Sequence, residues 1–426
     1  MRTFWFLIYN IIGVPVLWMM FKIFSIYKSK IREGFAGRKD LFRELDKSFL
    51  SLGEGKRVLI HSSSLGEFQQ AIPLVEELSK KKYNVILSFF SPSGFKNSKF
   101  HFANVIKCYL PFDSVSNQKK FLDAVKPEII ILMRYDLWYN LLYEANKRNI
   151  KIILANARFD EKDFTWNFPV VSSFKKKLYG MLDTMFVIDE HDEKYYKQKL
   201  KNENTKIIKI GDSKFERVYQ SLKGFNLNKQ IFPEKIIKDK KVFVIGSSWK
   251  EDEDVILPGI DKYLEVDDQL LTLLVPHEPK ETKIEAIEKL IENKFTNIKS
   301  IRYSNIENYK NENFIIIDKI GLLSELYSIA YISYVGGGFR TGLHNILEPA
   351  IFNMPVLFSN SVKNSDEDEI LIKSGCGILI YDVKQFYSVF MELLSNRSYR
   401  DEAGEKCRLV FMDNIGVAEK IINAIT

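Results

Sequence analysis

Two short stretches carry residue types at spacings that can do chemistry. His61-Ser62-Ser63-Ser64-Leu65-Gly66-Glu67 stands where an apolar run gives way to a helical pattern. A glycine-containing turn at a strand-to-helix junction points backbone N–H groups at whatever sits before the helix, which favours an anion. Ser64 and Gly66 are therefore expected among the substrate contacts. Glu67, in the first helical turn, is placed to act as a general base; the alternative is that it only complements the helix dipole. The second stretch is Val335-Gly336-Gly337-Gly338, followed by Gly342-Leu343-His344-Asn345-Ile346-Leu347-Glu348-Pro349-Ala350. Glycines after a buried strand let the backbone approach a phosphate, so Gly337 and Gly338 are expected contacts. Asn345 and Glu348, three apart, share one helix face, and the carboxylate can accept hydrogen bonds from ribose hydroxyls. The alternative is a loop whose glycines only make a tight turn. Ser247 and Ser248, after another apolar run, are further phosphate donors.

These stretches need elements to hold them, and the apolar pattern supplies them. Arg57–Ser62, Asn84–Phe90, Glu128–Met133, Lys151–Ala155 and Thr184–Ile188 read as strands, with amphipathic segments such as Gln69–Lys80 between them. A polar, Lys/Asn-rich stretch follows at 221–241. The pattern then restarts with Lys241–Ile245, Leu270–Val275, Phe314–Ile317, Ala330–Val335 and Pro355–Phe358. Short apolar strands alternating with helices predict parallel sheets covered on both faces. The chain thus divides into residues 1–30, 31–220 and 221–426, the last two being doubly wound α/β domains. In such sheets ligands sit beyond the carboxyl ends of the strands, which is where both stretches fall.

The first 30 residues differ in kind. Phe4–Ile26 is almost continuously apolar, interrupted by Tyr9, Asn10, Lys22 and Ser25. At about 1.5 Å per residue it approaches the roughly 30 Å hydrocarbon thickness of a bilayer. No small-x-small cleavage site follows; basic residues do (Lys28, Lys30, Arg32, Arg38, Lys39), and they keep the rest of the chain on the cytoplasmic face. A spanning helix, a helix in the membrane plane and a buried helix of a soluble protein all stay open, Asn10 and Pro15 favouring the second. The net charge of +7 suits anionic lipid or phosphorylated substrates. No basic stripe is interleaved with aromatics, so nucleic acid is not an expected partner. Cys108, Cys376 and Cys407 form no CxxC pair, and the five histidines no metal-ligand spacing. Three free, buried cysteines in a reducing compartment, and no metal, are the expectation.

The order of motifs resembles the bacterial 3-deoxy-D-manno-octulosonic acid (Kdo) transferases, which build the inner core of lipopolysaccharide. The shared segments are the apolar N-terminus, HSSSLGE at 61–67, MRYDLWYN at 133–140, ANAR at 155–158, GDSKFE at 211–216, VPHEP at 275–279 and VGGG…GLHNILEP at 335–349. The resemblance implies a GT-B-type fold, with two Rossmann-like domains facing across a cleft and an N-terminal membrane anchor. It also implies transfer of Kdo from CMP-Kdo to a lipid A precursor at the inner membrane, with inversion and with neither metal nor cofactor. By it, Glu67 is the base, and Lys214 balances charge on the departing phosphate. Arg158 contacts substrate, and the nucleotide is held by Pro276 and His277, by Ile320, Gly321 and Leu322, and by Asn345, Ile346, Leu347 and Glu348.

The chain departs from the family pattern at three positions. Arg134 stands where the family carries a glutamate. Either Asp136 takes over the carboxylate role, or Arg134 binds an anion such as the sugar carboxylate. His277 replaces an arginine, with Lys280 nearby to restore the charge, and Leu322 replaces an acid. The rivals to Kdo transfer are another GT-B sugar-nucleotide enzyme, a UDP-sugar transferase or epimerase, and a non-catalytic relative that binds lipid or sugar nucleotide.

Overall fold

The computed structural model describes residues 2–160, 163–223, 231–340, 342–359, 361 and 367–426. They form two compact units, Met1–Arg217 with Asn414–Thr426, and Val218–Asp413.

In the first unit seven strands run parallel: β1 (Arg57–Ser62), β2 (Asn84–Phe89), β3 (Val105–Tyr109), β4 (Ile129–Met133), β5 (Lys151–Ala157), β6 (Thr184–Val187) and β7 (Lys206–Lys209). Their order is β3-β2-β1-β4-β5-β6-β7, the doubly wound arrangement whose switch point lies between β1 and β4. Alternate residues feed two cores. Leu59, Ile130 and Leu132 face one side of the sheet, while Val58, Ile60, Ile131 and Met133 face the other. Burial on both faces explains why these strands read as unbroken apolar runs.

The chain's last residues correct the expected 221–426 domain. The helix Val417–Ile425 returns to the first unit and lays Val417, Ala418, Ile421, Ile422 and Ile425 against the core under the helix Leu65–Lys80. Its apolar residues at helical spacing need a partner, and the first unit supplies one. Glu216 fixes the join by accepting from the Ala418 N–H at 2.8 Å.

The N-terminal helix is docked at one end. It runs from Arg2 to Tyr27 with a π-turn at Tyr9–Gly13. Trp5 is buried, with Phe6 and Tyr9 packed beside it against the first core. The Tyr9 hydroxyl donates to Asp113 Oδ2 at 2.9 Å, and the Asn10 and Asn140 amides bond each other reciprocally at 3.0 and 2.8 Å. A wide turn in mid-helix is how a backbone accommodates such an anchoring contact. Beyond it Ile11, Ile12, Trp18, Met19, Ile23 and Ile26 are exposed. By length and composition Phe4–Tyr27 suffices to cross a membrane. Arg38, expected in the basic flank, is instead half-buried. Its guanidinium donates to the carbonyls of Leu110, Gly34 and Phe90, and burial pulls its pKa down to about 10.

The second unit carries β8 (Lys241–Ser248), β9 (Leu270–Pro276), β10 (Ser300–Arg302), β11 (Phe314–Ile316), β12 (Ile332–Val335), β13 (Val356–Phe358) and β14 (Gly377–Leu379). The order is β10-β11-β9-β8-β12-β13-β14, again parallel, with its switch point between β8 and β12. Of the polar stretch at 221–241, residues 224–230 lie outside the described residues. Phe232 and Ile236 within it are buried in this unit's core rather than forming a linker.

The expectation of three free cysteines is corrected: Cys376 and Cys407 are disulfide-bonded, with Cα atoms 5.0 Å apart. The helix Arg397–Asn414 carries Cys407 on its buried face and brings it against the residue that precedes β14. A spacing of 31 residues does not reveal that juxtaposition. Cys108 is free and buried, its thiol pushed up to about 12 by burial.

Candidate active site

In the first unit the carboxyl ends of β1 and β4 bring two carboxylates together. Ser64 caps the helix Leu65–Lys80, its hydroxyl accepting from the Glu67 N–H at 3.3 Å. Glu67 reaches back, its Oε2 accepting from the N–H groups of Ser63 at 2.5 Å and Ser64 at 3.2 Å. This capping box makes Glu67 a helix-start residue, as one of its two expected readings held. Burial, reinforced by the Asp136 charge, nonetheless raises the Glu67 pKa above its ordinary value, against the pull of those N–H groups and His61. A carboxylate so poised accepts a proton more readily.

Asp136 is tuned the other way. Its Oδ2 accepts from His61 Nε2 at 2.7 Å, from Trp138 Nε1 at 3.1 Å and from the Ser63 hydroxyl. Burial would raise its pKa, but these three donors outweigh it and hold the group below the ordinary carboxylate value. His61 is fully buried, and its Nδ1 lies 2.9 Å from the Ser88 hydroxyl. Nδ1 also lies 3.1 Å from the Ser88 carbonyl oxygen, and Nε2 is the nitrogen that donates to Asp136.

Gln70, one turn beyond Glu67, binds the other first-unit motifs to this pair. Its Oε1 accepts from Arg134 Nε at 3.0 Å and Asn156 Nδ2 at 3.4 Å, while its carbonyl accepts from the Ser213 hydroxyl at 2.7 Å. Asn156 also donates to Asp212 at 3.0 Å and to Ser213 at 2.7 Å. Asp212 Oδ1 accepts from the Lys214 N–H at 2.8 Å and so fixes the start of the helix Ser213–Lys223. Arg134, Asn156, Asp212 and Ser213 thereby form one network around Gln70, while Glu67 and Asp136 meet at Ser63. Arg134 (φ 61°) and Asn156 (φ 56°) both hold the left-handed conformation at strand ends, a placement that side chains adopt at a cost and that clusters at functional sites. Arg158 stands apart, beside Asp192.

An apolar cavity of about 570 Å³ lies beside Trp138, lined also by Val14, Leu17, Trp18 and Phe21 of the N-terminal helix and by Phe112. Trp138 links this cavity to Asp136, with its N–H on that carboxylate and its ring stacked on Phe90 at 4.9 Å. Among the described residues, Asp189, His191 and Asp192 also bring ligand-type atoms within 4.8 Å of one another. Both carboxylates have structural duties: Asp189 caps the helix Glu190–Lys199, and Asp192 accepts from the Phe159 N–H at 2.7 Å.

The second unit's site lies at its own switch point. His277 stacks on both Trp249 and His344, with centroid distances of 4.7 and 4.4 Å. Trp249 Nε1 donates to His344 Nε2 at 3.1 Å, while Lys283 and Arg340 lie over the indole at 4.8 and 5.1 Å. Burial lowers the His344 pKa, with His277 adding to the effect, so its ring is held in the neutral, accepting form. Lys280, expected to restore the charge lost at His277, pairs with Glu278 at 2.7 Å; Lys283 and Arg340, the latter paired with Glu251 at 3.4 Å, are cations that lie over Trp249.

The glycine loop behaves differently from expectation. The Gly337 N–H (φ 96°) donates to Asp252 Oδ2 at 2.9 Å, so that donor is already used. A Cβ on Gly338 would come within 1.5 Å of the Ser359 carbonyl oxygen. Both glycines are thus closely approached by other groups of the protein, Asp252 and Ser359. Asp252, fully buried, also accepts from the Trp249 N–H at 2.9 Å and the Tyr334 hydroxyl at 2.8 Å, joining the β8 and β12 loops. Asn345 Nδ2 donates to Glu348 Oε1 at 3.0 Å, and burial raises the Glu348 pKa despite that bond. Asn345 precedes the helix, which is only Leu347–Ala350 and includes neither it nor Ile346. Pro276 is buried at the end of β9, whereas Ile320, Gly321 and Leu322 form a turn with Ile320 exposed.

The sequence reading passed over His61, Gln70, Asn156 and Trp138 in the first unit and Trp249, Asp252, Lys283, Arg340 and His344 in the second. His61, Asn156, Trp138, Trp249, Asp252 and Arg340 stand at or within about five residues of a strand's carboxyl end, whereas Gln70, Lys283 and His344 lie farther along the chain.

Residues 33–217 match the family described as 3-deoxy-D-manno-octulosonic-acid transferase (kdotransferase). The chain is 26% identical over 424 residues to a 3-deoxy-D-manno-octulosonic acid transferase of Haemophilus influenzae, covering 96% of this chain and 95% of that one. It is 27% identical over 412 residues to the protein of that name from Rickettsia prowazekii, covering 91% and 85%. A bifunctional glycosyltransferase/methyltransferase of Fusobacterium nucleatum is 29% identical over 403 residues; the match covers 90% of this chain but only 60% of that protein. Among solved structures, a UDP-GlcNAc 2-epimerase of Neisseria meningitidis aligns with a TM-score of 0.57 at 15% identity, covering 86% of this chain and 98% of that one. MurG of Acinetobacter baumannii aligns at 0.54 and 11% identity, covering 87% and 99%. Both likenesses concern the GT-B fold alone.

Proposed function

We propose that this chain, which belongs to the Kdo transferase family and is a glycosyltransferase, moves Kdo from CMP-Kdo onto a hydroxyl of a lipid A precursor. The reaction is a single inverting displacement. The acceptor oxygen bonds to the anomeric carbon of Kdo as that carbon's bond to the CMP phosphate oxygen breaks. CMP leaves with the bonding electrons, and the acceptor's proton passes to Glu67.

The observation that carries this reading is the opposed tuning of two carboxylates at one switch point. Glu67 is raised and suited to take a proton, while Asp136 is lowered and stays ionised. Asp136 takes the carboxylate role that Arg134 cannot fill, and orients the site through His61, Ser63 and Trp138. Arg134, bonded through Nε to Gln70, is the guanidinium proposed to meet the carboxylate of the sugar. Lys214 balances charge on the phosphate as it departs, which asks for no metal.

The nucleotide belongs to the second unit. Its His344–His277–Trp249 stack, flanked by Lys283 and Arg340, suits an anionic nucleotide, with Glu348 and Asn345 serving the ribose. The apolar cavity beside Trp138 suits the lipid part of the acceptor. The N-terminal helix supports placement at the inner membrane with both units on the cytoplasmic side. Because Tyr9 and Asn10 are bonded to the first unit, the helix lies against that unit rather than spanning freely.

The test is transfer from CMP-Kdo to a lipid A precursor by wild type and Glu67→Ala, with chelator present. Metal-independent transfer by the wild type, lost in the folded variant, is the expected result. Equal activity in the variant refutes Glu67 as base, and CMP binding without transfer refutes the donor.

A further inference from the structure

We propose that residues 163–171 form a second membrane-contact element, a rigid apolar wedge that enters the lipid interface beside the N-terminal helix. This rests on the membrane placement proposed above. Phe164, Phe168 and Val170 are 66%, 52% and 68% exposed, and Val171 joins them. Four large apolar side chains within eight residues, all turned to solvent, make a patch that ordinary surface statistics do not supply.

The fold invests in holding them outward. Asp163 caps the short 3-10 turn Phe164–Asn167, accepting from the Thr165 N–H at 3.2 Å. Lys175 donates to Asp163 and, at 2.6 Å, to Thr165 Oγ1, and its ammonium lies 5.1 Å over the ring of Trp166. Trp166 is buried beneath, stacked with Tyr179 at 5.8 Å. Pro169 opens the helix Pro169–Tyr179 at its first turn. The loop therefore cannot turn its apolar residues inward, because the inward position is taken by Trp166.

Position names the occupant. Phe174 lies one helical turn beyond Val170 and Val171 and packs on Trp5 at 5.2 Å and Tyr9 at 5.9 Å of the N-terminal helix. The wedge thus continues the surface of that helix, where Phe4 and Leu7 are also exposed. A hydrocarbon boundary covers both at once, and phenylalanine beside valine, with Lys176 exposed on the next turn, is the composition of an interfacial segment.

The test uses the full-length chain and vesicles of phosphatidylethanolamine with a minority of phosphatidylglycerol. Phe164→Ser/Phe168→Ser is expected to keep its circular dichroism spectrum and to lose about tenfold or more in vesicle partitioning, since two buried aromatics are withdrawn from lipid. A polarity-sensitive dye on Val170→Cys is expected to shift to the blue on adding vesicles and to be quenched by spin-labelled lipid. Equal partitioning of the double variant, with the dye still in water, overturns the wedge while leaving the N-terminal helix as anchor. A wild type that ignores vesicles overturns the membrane placement as well. Dye shielding that grows with protein concentration in the absence of lipid makes the patch a contact between copies, and also overturns the proposal.

Discussion

Gln70→Met offers a sharp perturbation of the first-unit site, because methionine keeps the side chain's length and removes only its amide. Gln70 is 4% exposed, and its Oε1 accepts from Arg134 Nε and Asn156 Nδ2. Asn156 keeps Asp212 and Ser213 as acceptors, and the Gln70 carbonyl still accepts from Ser213. The loss is therefore one hydrogen bond to a charged group, about 1.5–3 kcal/mol where fully buried. Arg134 is half-buried, and water can replace part of it, leaving about 1–2 kcal/mol. At about 2–4 °C per kcal/mol for a unit of this size, the Tm should fall by about 2–8 °C. If Arg134 grips the substrate carboxylate, kcat/KM for CMP-Kdo should fall by about tenfold, mainly through KM, because each 1.4 kcal/mol is a factor of ten. The assays are differential scanning calorimetry and initial rates against donor concentration. Unchanged Tm and unchanged kcat/KM refute the idea that Gln70 holds the four motifs in register.

Trp138→Phe keeps the stack on Phe90 and removes one of the three donors to Asp136, so its pKa rises. A carboxyl depressed in the folded state stabilises at pH above its unfolded value, and that stability is lost as pH falls. The variant should thus be weaker by about 1.5–3 kcal/mol at neutral pH, with the gap narrowing on acidification, in thermal melts run across pH. Asp252→Ala orphans the N–H groups of Trp249 and Gly337 and the Tyr334 hydroxyl, costing about 3–5 kcal/mol. Calorimetry should show that loss in the second unit, and CMP affinity should fall with it, while Asp252→Asn recovers much of both. Tyr9→Phe deprives buried Asp113 of one donor, about 1.5–3 kcal/mol, and hydrogen exchange at residues 4–27 should quicken while the sheet of the first unit is unaffected.

The strands that sequence revealed are those buried on both faces and mostly apolar. Those it missed give a weaker apolar pattern: Lys107 interrupts β3, lysines bracket β7, β10 is Ser-Ile-Arg, and β14 begins on a glycine. The helix Val417–Ile425 is plainly amphipathic, but amphipathicity names a buried face without naming the partner, and the first unit was not the neighbour in sequence. Glu67 was legible because its motif combines a turn glycine with a helix start. Gln70 and His61 were not, since one reads as a polar helix residue and the other as a strand residue. Their roles come from Arg134, Asn156, Asp136 and Ser88, which are distant in the chain. Gly337 and Gly338 signal close backbone approach, and the approaching groups in the structure are Asp252 and Ser359 of the protein itself.

The central claim is that Glu67 is the base and that its surroundings raise its pKa while Asp136 stays ionised. The measurement is the pH dependence of kcat/KM for Kdo transfer by wild type and Glu67→Gln, with folding followed at each pH. Transfer needs Glu67 ionised, so wild-type activity should fall as pH drops through a value above the ordinary glutamate pKa of about 4.3. The variant should lose about 100-fold or more in rate and show no such limb. A wild-type profile flat down to acid unfolding, or a variant that keeps the same limb, contradicts the account.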